Sequence, residues 1–466
     1  MRKISIGEIA ESTEGRILKG APDAKVSGVS TDTRELGAGD AFFALSGERF
    51  DAHDFLGAAA ASGAAALIVE RGDAVPIGFG GAVLLVPDAL AAYQGLAAMY
   101  RQSVSPVVIA VTGSLGKTTQ KDMLLAAASG SYRTIATEKN YNNHVGAPKT
   151  IFRMDEDTEL LILEMGMSHA GEIRLLTDIA RPDAAIITNI GASHRENFDS
   201  DDAIGRAKLE IASFFGIENA LFVNGDDPTL RAHAERDDLA YDVVTAGESE
   251  GCHYRITRPR YTGEEEIGFS LQYGREASVQ FRIPAAGLYN GVGAALTVAA
   301  LSPLGITAAE VAESLKGLKR TEHRLRLITG EGFRVIDDTY NANPDSMKSA
   351  IDYLVSFSGG RRIAVLAGMN ELGDRSEELH REVGAYAAAA GVDVVASVGE
   401  KACAIADGYS SEHRGKGAVR TYADNGEAIK DLRAFAKDGD TVLVKGSHAY
   451  RTDEIAEALS ERRPVR

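Results

Sequence analysis

The chain has 466 residues, 44% apolar and 25% charged, with 67 acidic against 50 basic side chains and a net charge of −17. That length predicts about three domains rather than one core. The composition is that of a soluble globular protein, and the acidic balance argues against a general nucleic-acid surface, so any anionic ligand has to be held by local cations.

From the N-terminus, Met1-Arg-Lys is followed by Glu8, Glu11 and Glu14 instead of an apolar stretch, and no run approaches a membrane span; the expectation is a cytoplasmic protein without membrane insertion. Residues 1–105 hold short β-like pieces around Ala-rich amphipathic stretches, such as 55–66 ahead of a strand over 65–70, and predict a small α/β module. Residues 106–322 repeat a strand-then-helix rhythm, with strands predicted over 107–111, 160–164, 184–189 and 220–224. Residues 323–466 restart it with strands over 333–338, 362–367, 393–398 and 440–445. Each strand is a near-continuous apolar run ending in polar residues, the pattern of a parallel sheet buried on both faces. The fold class read from this is α/β in three domains, the second a central parallel-sheet phosphate-loop domain and the third Rossmann-like. Two cysteines, Cys252 and Cys403, are too few and too far apart for a disulfide framework or metal site and read as packing thiols.

The most informative segment follows the strand at 107–111. Gly113-Ser114-Leu115-Gly116-Lys117-Thr118-Thr119 is a Gly-rich turn ending in Lys-Thr-Thr at the start of a helix. Glycines let backbone N–H groups approach phosphate oxygens, the lysine supplies a point charge, and a hydroxyl completes a Mg²⁺ shell. The chain is therefore expected to bind ATP or GTP. The general pattern would place glycine at position 111, where Val111 stands, so the turn is two residues tighter than usual. Ligands in open parallel sheets sit beyond the carboxyl ends of the strands, which directs attention to Glu164, Asn189, His194 and Asp226. Glu164 and His194 would lie near the phosphate loop and reach a Mg²⁺ that bridges phosphates. Ser200 begins a capped helix with acidic residues in its first turn; by itself, Lys208 on that helix reads as a solvated surface lysine.

In order along the chain, Thr31-Asp-Thr-Arg34, the Gly39–Asp54 segment, Thr112–Thr119, Asn140-Tyr-Asn142-Asn143, Glu164-Met-Gly166, Thr188-Asn-Ile-Gly191 with His194, and Ala207-Lys208-Leu-Glu210 resemble the Mur ligases. Asp337-Asp338-Thr-Tyr340-Asn341-Ala-Asn343-Pro344 and Met369-Asn-Glu371-Leu-Gly373 resemble the branch that adds D-alanyl-D-alanine. The Asp-Asn-Pro-Arg segment of the ligases that add diaminopimelate or lysine is absent. The resemblance implies a monomeric, ADP-forming ligase that joins D-Ala-D-Ala to UDP-N-acetylmuramoyl-tripeptide through an acyl phosphate. A related ligase joining a different amine to an anionic acceptor is the second reading.

Carried over residue by residue, the resemblance implies ATP contacts from Gly113, Ser114, Gly116, Lys117, Thr118, Thr119, Asn290 (adenine), Arg324 and Asp338. It implies catalytic roles for Lys117, Glu164, His194 and Lys208. Metal contacts would come from Thr118, Glu164, His194 and a carbamylated Lys208, and substrate contacts from Thr33, Arg34, Asn142, Asn143, Asn343 and Ser447. The first domain, 1–105, would then bind the UDP-muramoyl peptide. Tyr289, Gly293 and His448 depart from the family pattern, and Gly291 with Gly293 predict a late start for the helix there, since each costs about 1 kcal/mol relative to Ala. The third domain is expected to close on the second about a hinge near 319–323.

Overall fold

The computed structural model describes residues 1–47, 50–191, 195–274, 277–319, 321–329, 332–412 and 418–461. Three larger sheets organise them. The first has five strands in the order Arg16–Lys19, Ala82–Leu85, Ala66–Val69, Ala41–Phe43 and Val29–Ser30. Its helix Ala89–Val104 lays Tyr93 and Tyr100 against Phe152 of the second unit, with ring centroids 5.3 and 5.9 Å apart. One apolar core therefore runs across residue 105, where Ser105 ends the helix in the left-handed conformation.

The second sheet has nine strands, and its first six, in the order Thr134–Ala136, Leu160–Glu164, Val107–Thr112, Ala184–Ile187, Ala220–Asn224 and Asp242–Gly247, are parallel. The strand Val107–Thr112 shows why its sequence is apolar throughout. Val108 and Ala110 face the core shared with the first unit, while Ile109 and Val111 face the helices Lys117–Ala128 and Asn290–Leu301. The expectation of a purely parallel sheet is corrected at its far edge: Tyr254–Gly263 still pairs parallel to Asp242–Gly247, and Glu266–Tyr273 and Ala277–Ile283 follow it as antiparallel strands. Short turns join Tyr254–Gly263 to Glu266–Tyr273 and Glu266–Tyr273 to Ala277–Ile283, the connection an antiparallel pair allows.

The helix Asn290–Leu301 starts at its first glycine pair, not late. It is buried almost all round, and a Cβ on Gly291 or Gly293 would come within 3.2 Å of Ile256 or Gln120. Close packing outweighs the intrinsic helix cost of glycine here. Of the two thiols, Cys252 is half-buried and Cys403 is exposed, so only the first fits a packing role.

The third sheet carries the antiparallel edge strand Arg326–Thr329 beside five parallel strands: Arg334–Asp338, Thr441–Lys445, Arg362–Ala367, Val394–Val398 and Ala418–Tyr422. The last strand in sequence lies beside the first parallel one, which brings Lys445 level with Asp338. This unit is docked on the second. Tyr353 Oη donates to Glu264 O at 2.6 Å, Glu196 N to Glu371 O at 3.1 Å, and Asn343 Nδ2 to Ser114 O at 3.4 Å.

Candidate active site

A cavity of about 450 Å³ opens between the carboxyl ends of the second sheet and the face of the third unit. Its floor is the phosphate loop. Gly113 and Gly116 adopt φ of 148° and 81°, values that disfavour residues with a Cβ, and a Cβ at Gly113 would sit 1.9 Å from Thr188 Oγ1. Asn189 Oδ1 shapes the turn by accepting from Ser114 N at 3.1 Å and Leu115 N at 2.8 Å. The helix beginning at Lys117 then points its first-turn N–H groups, which have no intrahelical acceptor, toward the cavity. Lys117 Nζ donates to Gly113 O at 2.6 Å. Burial holds its pKa below the ordinary lysine value and Arg324 adds to this, while Glu164 opposes it.

Glu164 ends the strand Leu160–Glu164 and is 3% exposed. Asn142 Nδ2 donates to its Oε1 at 2.8 Å, and its Oε2 is buried with no hydrogen-bond partner among the described residues. An anionic oxygen left without a donor in such a place suits a bound cation. His194, its expected companion, lies outside the described residues. Lys208 is 2% exposed and lines the same cavity, which overturns its reading as a solvated lysine: the helix Asp201–Leu209 turns that position inward, onto the sheet. Burial, then repulsion from Lys117, push its pKa well below the ordinary value.

The opposite wall comes from the third unit. Arg324 lies 4.1 Å above the Tyr340 ring and donates from Nη2 to Thr118 Oγ1 at 3.3 Å. Asp338 accepts from Leu325 N at 3.1 Å and from Lys445 Nζ at 2.6 Å. Asn343 caps the helix Pro344–Val355 and also lines the cavity. Gly113, Ser114, Gly116, Thr118, Thr119, Asn142 and Asn143 also line it.

Four expected contacts sit elsewhere. Asn290 is buried with its amide turned to Ala286 O, and Tyr289 takes the lining position instead, its phenol pushed up to about 12, chiefly by burial. Ser447 lies under the 338–343 turn, donating to Ala342 O at 3.3 Å. Thr33 and Arg34 are outside the cavity lining, and Arg34 pairs with Asp32 at 2.6 Å on the surface. Their loop is nonetheless tied to the second unit, because Glu35 pairs with Lys149, which lies 4.4 Å over the Tyr141 ring. Sequence reasoning noted Tyr289 only as a departure from the family pattern and Lys445 only as the end of a strand that matches the family, and gave neither a place in the cavity. The strand-end rule that singled out Glu164 would also have found Lys445, the last residue of its strand.

Comparisons with known proteins agree along the whole chain. The Mur ligase middle domain matches residues 111–301; the Mur ligase, glutamate ligase domain matches 323–448; and the Mur ligase family, catalytic domain matches 25–101. The UDP-N-acetylmuramoyl-tripeptide--D-alanyl-D-alanine ligase of Bacillus subtilis is 39% identical over 99% of both chains. A crystal structure of MurF from Acinetobacter baumannii superposes with a TM-score of 0.89 at 30% identity, covering 99% of this chain and 100% of that one. MurF from Thermotoga maritima in complex with ADP gives 0.82 at 29% identity, covering 93% and 97%. With its phosphate loop, buried Glu164 and Lys208, and matches across both the sequence and the fold, the chain belongs to the Mur ligase family.

Proposed function

We propose that this protein is an ATP-dependent, ADP-forming ligase that adds D-alanyl-D-alanine to UDP-N-acetylmuramoyl-tripeptide in cytoplasmic peptidoglycan precursor synthesis. The observation that carries this reading is the single cavity bounded by the phosphate loop, Glu164 and Lys208 on one side and Arg324, Asp338 and Asn343 on the other, in a chain similar over its full length to ligases named for that reaction. One chain supplies both walls, which supports action as a monomer. Among the described residues no helix is long and apolar enough to cross a membrane.

The chemistry begins with a poor electrophile. A carboxylate oxygen of the muramoyl tripeptide attacks the γ-phosphorus of ATP, the bond to ADP breaks, and an acyl phosphate results. The dipeptide amine then attacks the acyl carbon, the carbon–oxygen bond to phosphate breaks, and the amine proton leaves to solvent. Positioning and charge neutralisation are the protein's main contributions. Lys117 and the N–H groups of its helix hold β- and γ-phosphate oxygens. Asn142 fixes the rotamer of Glu164. Arg324, Asp338 and Tyr289 border the nucleoside end, and Asn343 stands on the amine side. The buried, unpartnered Oε2 of Glu164 fits a Mg²⁺, which Glu164 and Thr118 would hold and which would neutralise phosphate charge. Burial, then repulsion from Lys117, lower the Lys208 pKa and so favour the free amine that adds CO₂: its nitrogen bonds to the carbon, a proton leaves, and the carbamate becomes an anion beside Lys117.

Phosphate release with ATP and UDP-N-acetylmuramoyl-tripeptide, measured with and without D-Ala-D-Ala, tests the reading. Release and product that require the dipeptide support it. Turnover with another amine in its place favours the ligase of different amine specificity.

A further inference from the structure

The carboxyl end of the strand Thr441–Lys445 carries a buried charge to which the mechanism above gives no role. Lys445 is 2% exposed and is the register partner of Asp338 on the neighbouring strand. An ammonium has three N–H donors. One goes to Asp338 Oδ2 at 2.6 Å and one to Asn341 O at 2.9 Å, and the residue borders the cavity. The other Asp338 oxygen accepts from Leu325 N at 3.1 Å, so both carboxylate oxygens are held from different sides. Two residues on, Ser447 Oγ donates to Ala342 O. The strand end thus holds the turn at 338, 341 and 342, and the next residue, Asn343, reaches Ser114 O in the phosphate loop.

We propose that Lys445 is a positioning residue: its charge holds the Asp338 carboxylate and the adjoining turn at 341 and 342 against the nucleotide side of the cavity. This rests on the ATP-dependent reading above. Asp338 is 8% exposed, and a carboxylate so buried, once deprived of its cation, rotates toward water or takes a proton. The contact surface offered to the nucleotide changes in either case, although Lys445 need not touch it. A neutral side chain at 338 has no such need of an ammonium.

A double-mutant cycle on the full-length enzyme tests this, with ADP affinity by calorimetry, KM for ATP, kcat and thermal unfolding as readouts. Lys445→Met should weaken ADP binding and raise the KM for ATP on the order of tenfold. In an Asp338→Asn background the same change should have an effect within about twofold. A merely structural lysine would weaken binding equally in both backgrounds, and additive effects overturn the proposal. So does unchanged ADP affinity in a folded Lys445→Met. Should that variant not fold, Lys445→Gln, which keeps a donor for Asn341 O, takes its place in the cycle with the same expectations. ADP binding is read without tripeptide or dipeptide, so a wild-type enzyme that binds ADP but makes no amide counts against the proposed function and leaves the cycle interpretable.

Discussion

Replacing Lys117 by Met separates the roles of fold and charge in the phosphate loop. The methionine keeps most of the aliphatic stem and removes the ammonium. On the stability side the folded protein loses one hydrogen bond, Lys117 Nζ to Gly113 O at 2.6 Å, which involves a charged donor and contributes about 1.5–3 kcal/mol. It also sheds the desolvation cost that already holds this lysine's pKa below its ordinary value, an effect of opposite sign. The net change should stay within about 2 kcal/mol. On the catalytic side, charge that develops on the transferring phosphoryl group loses its main side-chain partner in the cavity. Removing one such donor lowers kcat by about 10²–10³, or roughly 2.7–4 kcal/mol. Catalysis should therefore fall far more than stability. Single-turnover phosphate release and thermal unfolding on the same preparation measure both. A folded variant with kcat within about tenfold of wild type would refute the assignment of Lys117 to the phosphates.

Lys208 gives a pH prediction. Its folded pKa is depressed by burial and by Lys117, so below the ordinary lysine value folding must release a proton or bury a charge. Between the depressed and the ordinary pKa, wild-type stability should rise with pH by about 1.4 kcal/mol per unit relative to Lys208→Met; below the depressed value the difference becomes constant. Urea unfolding at stepped pH in CO₂-free buffer reads this slope. Bicarbonate should stabilise and activate wild type only, and equal slopes with no bicarbonate response contradict the buried neutral amine. Glu164→Gln keeps the shape and its place beside Asn142 but removes the anionic oxygen, so the Mg²⁺ concentration for half-maximal rate should rise, by about tenfold or more; an unchanged Mg²⁺ titration would count against a metal at this carboxylate. Lys149→Met cuts the tie to Glu35. As a partly exposed ion pair it contributes about 1 kcal/mol or less, so the KM for the muramoyl peptide should rise no more than about fivefold, with kcat and the KM for ATP unchanged. A change in kcat would show that Lys149 does more than hold the first unit's loop.

The parts of this protein that could be read from the chain are those governed by local chemistry. The strands at 107–111, 160–164 and 220–224 are continuous apolar runs because a parallel strand meets a helix layer on each face, and the structure places them at Val107–Thr112, Leu160–Glu164 and Ala220–Asn224. The phosphate loop was legible because only glycine accepts the backbone at 113 and 116. The antiparallel ribbon after Asp242–Gly247 was not, since its strands alternate with polar residues and carry no helix between them.

The sequence by itself determined the layered α/β class, the phosphate cradle and the charged residues at the strand ends, because period, glycine and strand-end polarity act within a few residues. Tertiary structure alone decided which of those charges share one cavity. Lys208 is a surface lysine by its local pattern and a buried amine once its helix packs on the sheet. Asn290 and Tyr289 are adjacent in sequence, yet helix packing buries the first and gives the cavity to the second. Lys445 meets Asp338 only because the last strand inserts beside the first parallel strand of its sheet, 107 residues away along the chain. Burial and strand order depend on contacts distant in sequence, and those contacts set both the pKa of a lysine and the partner it finds.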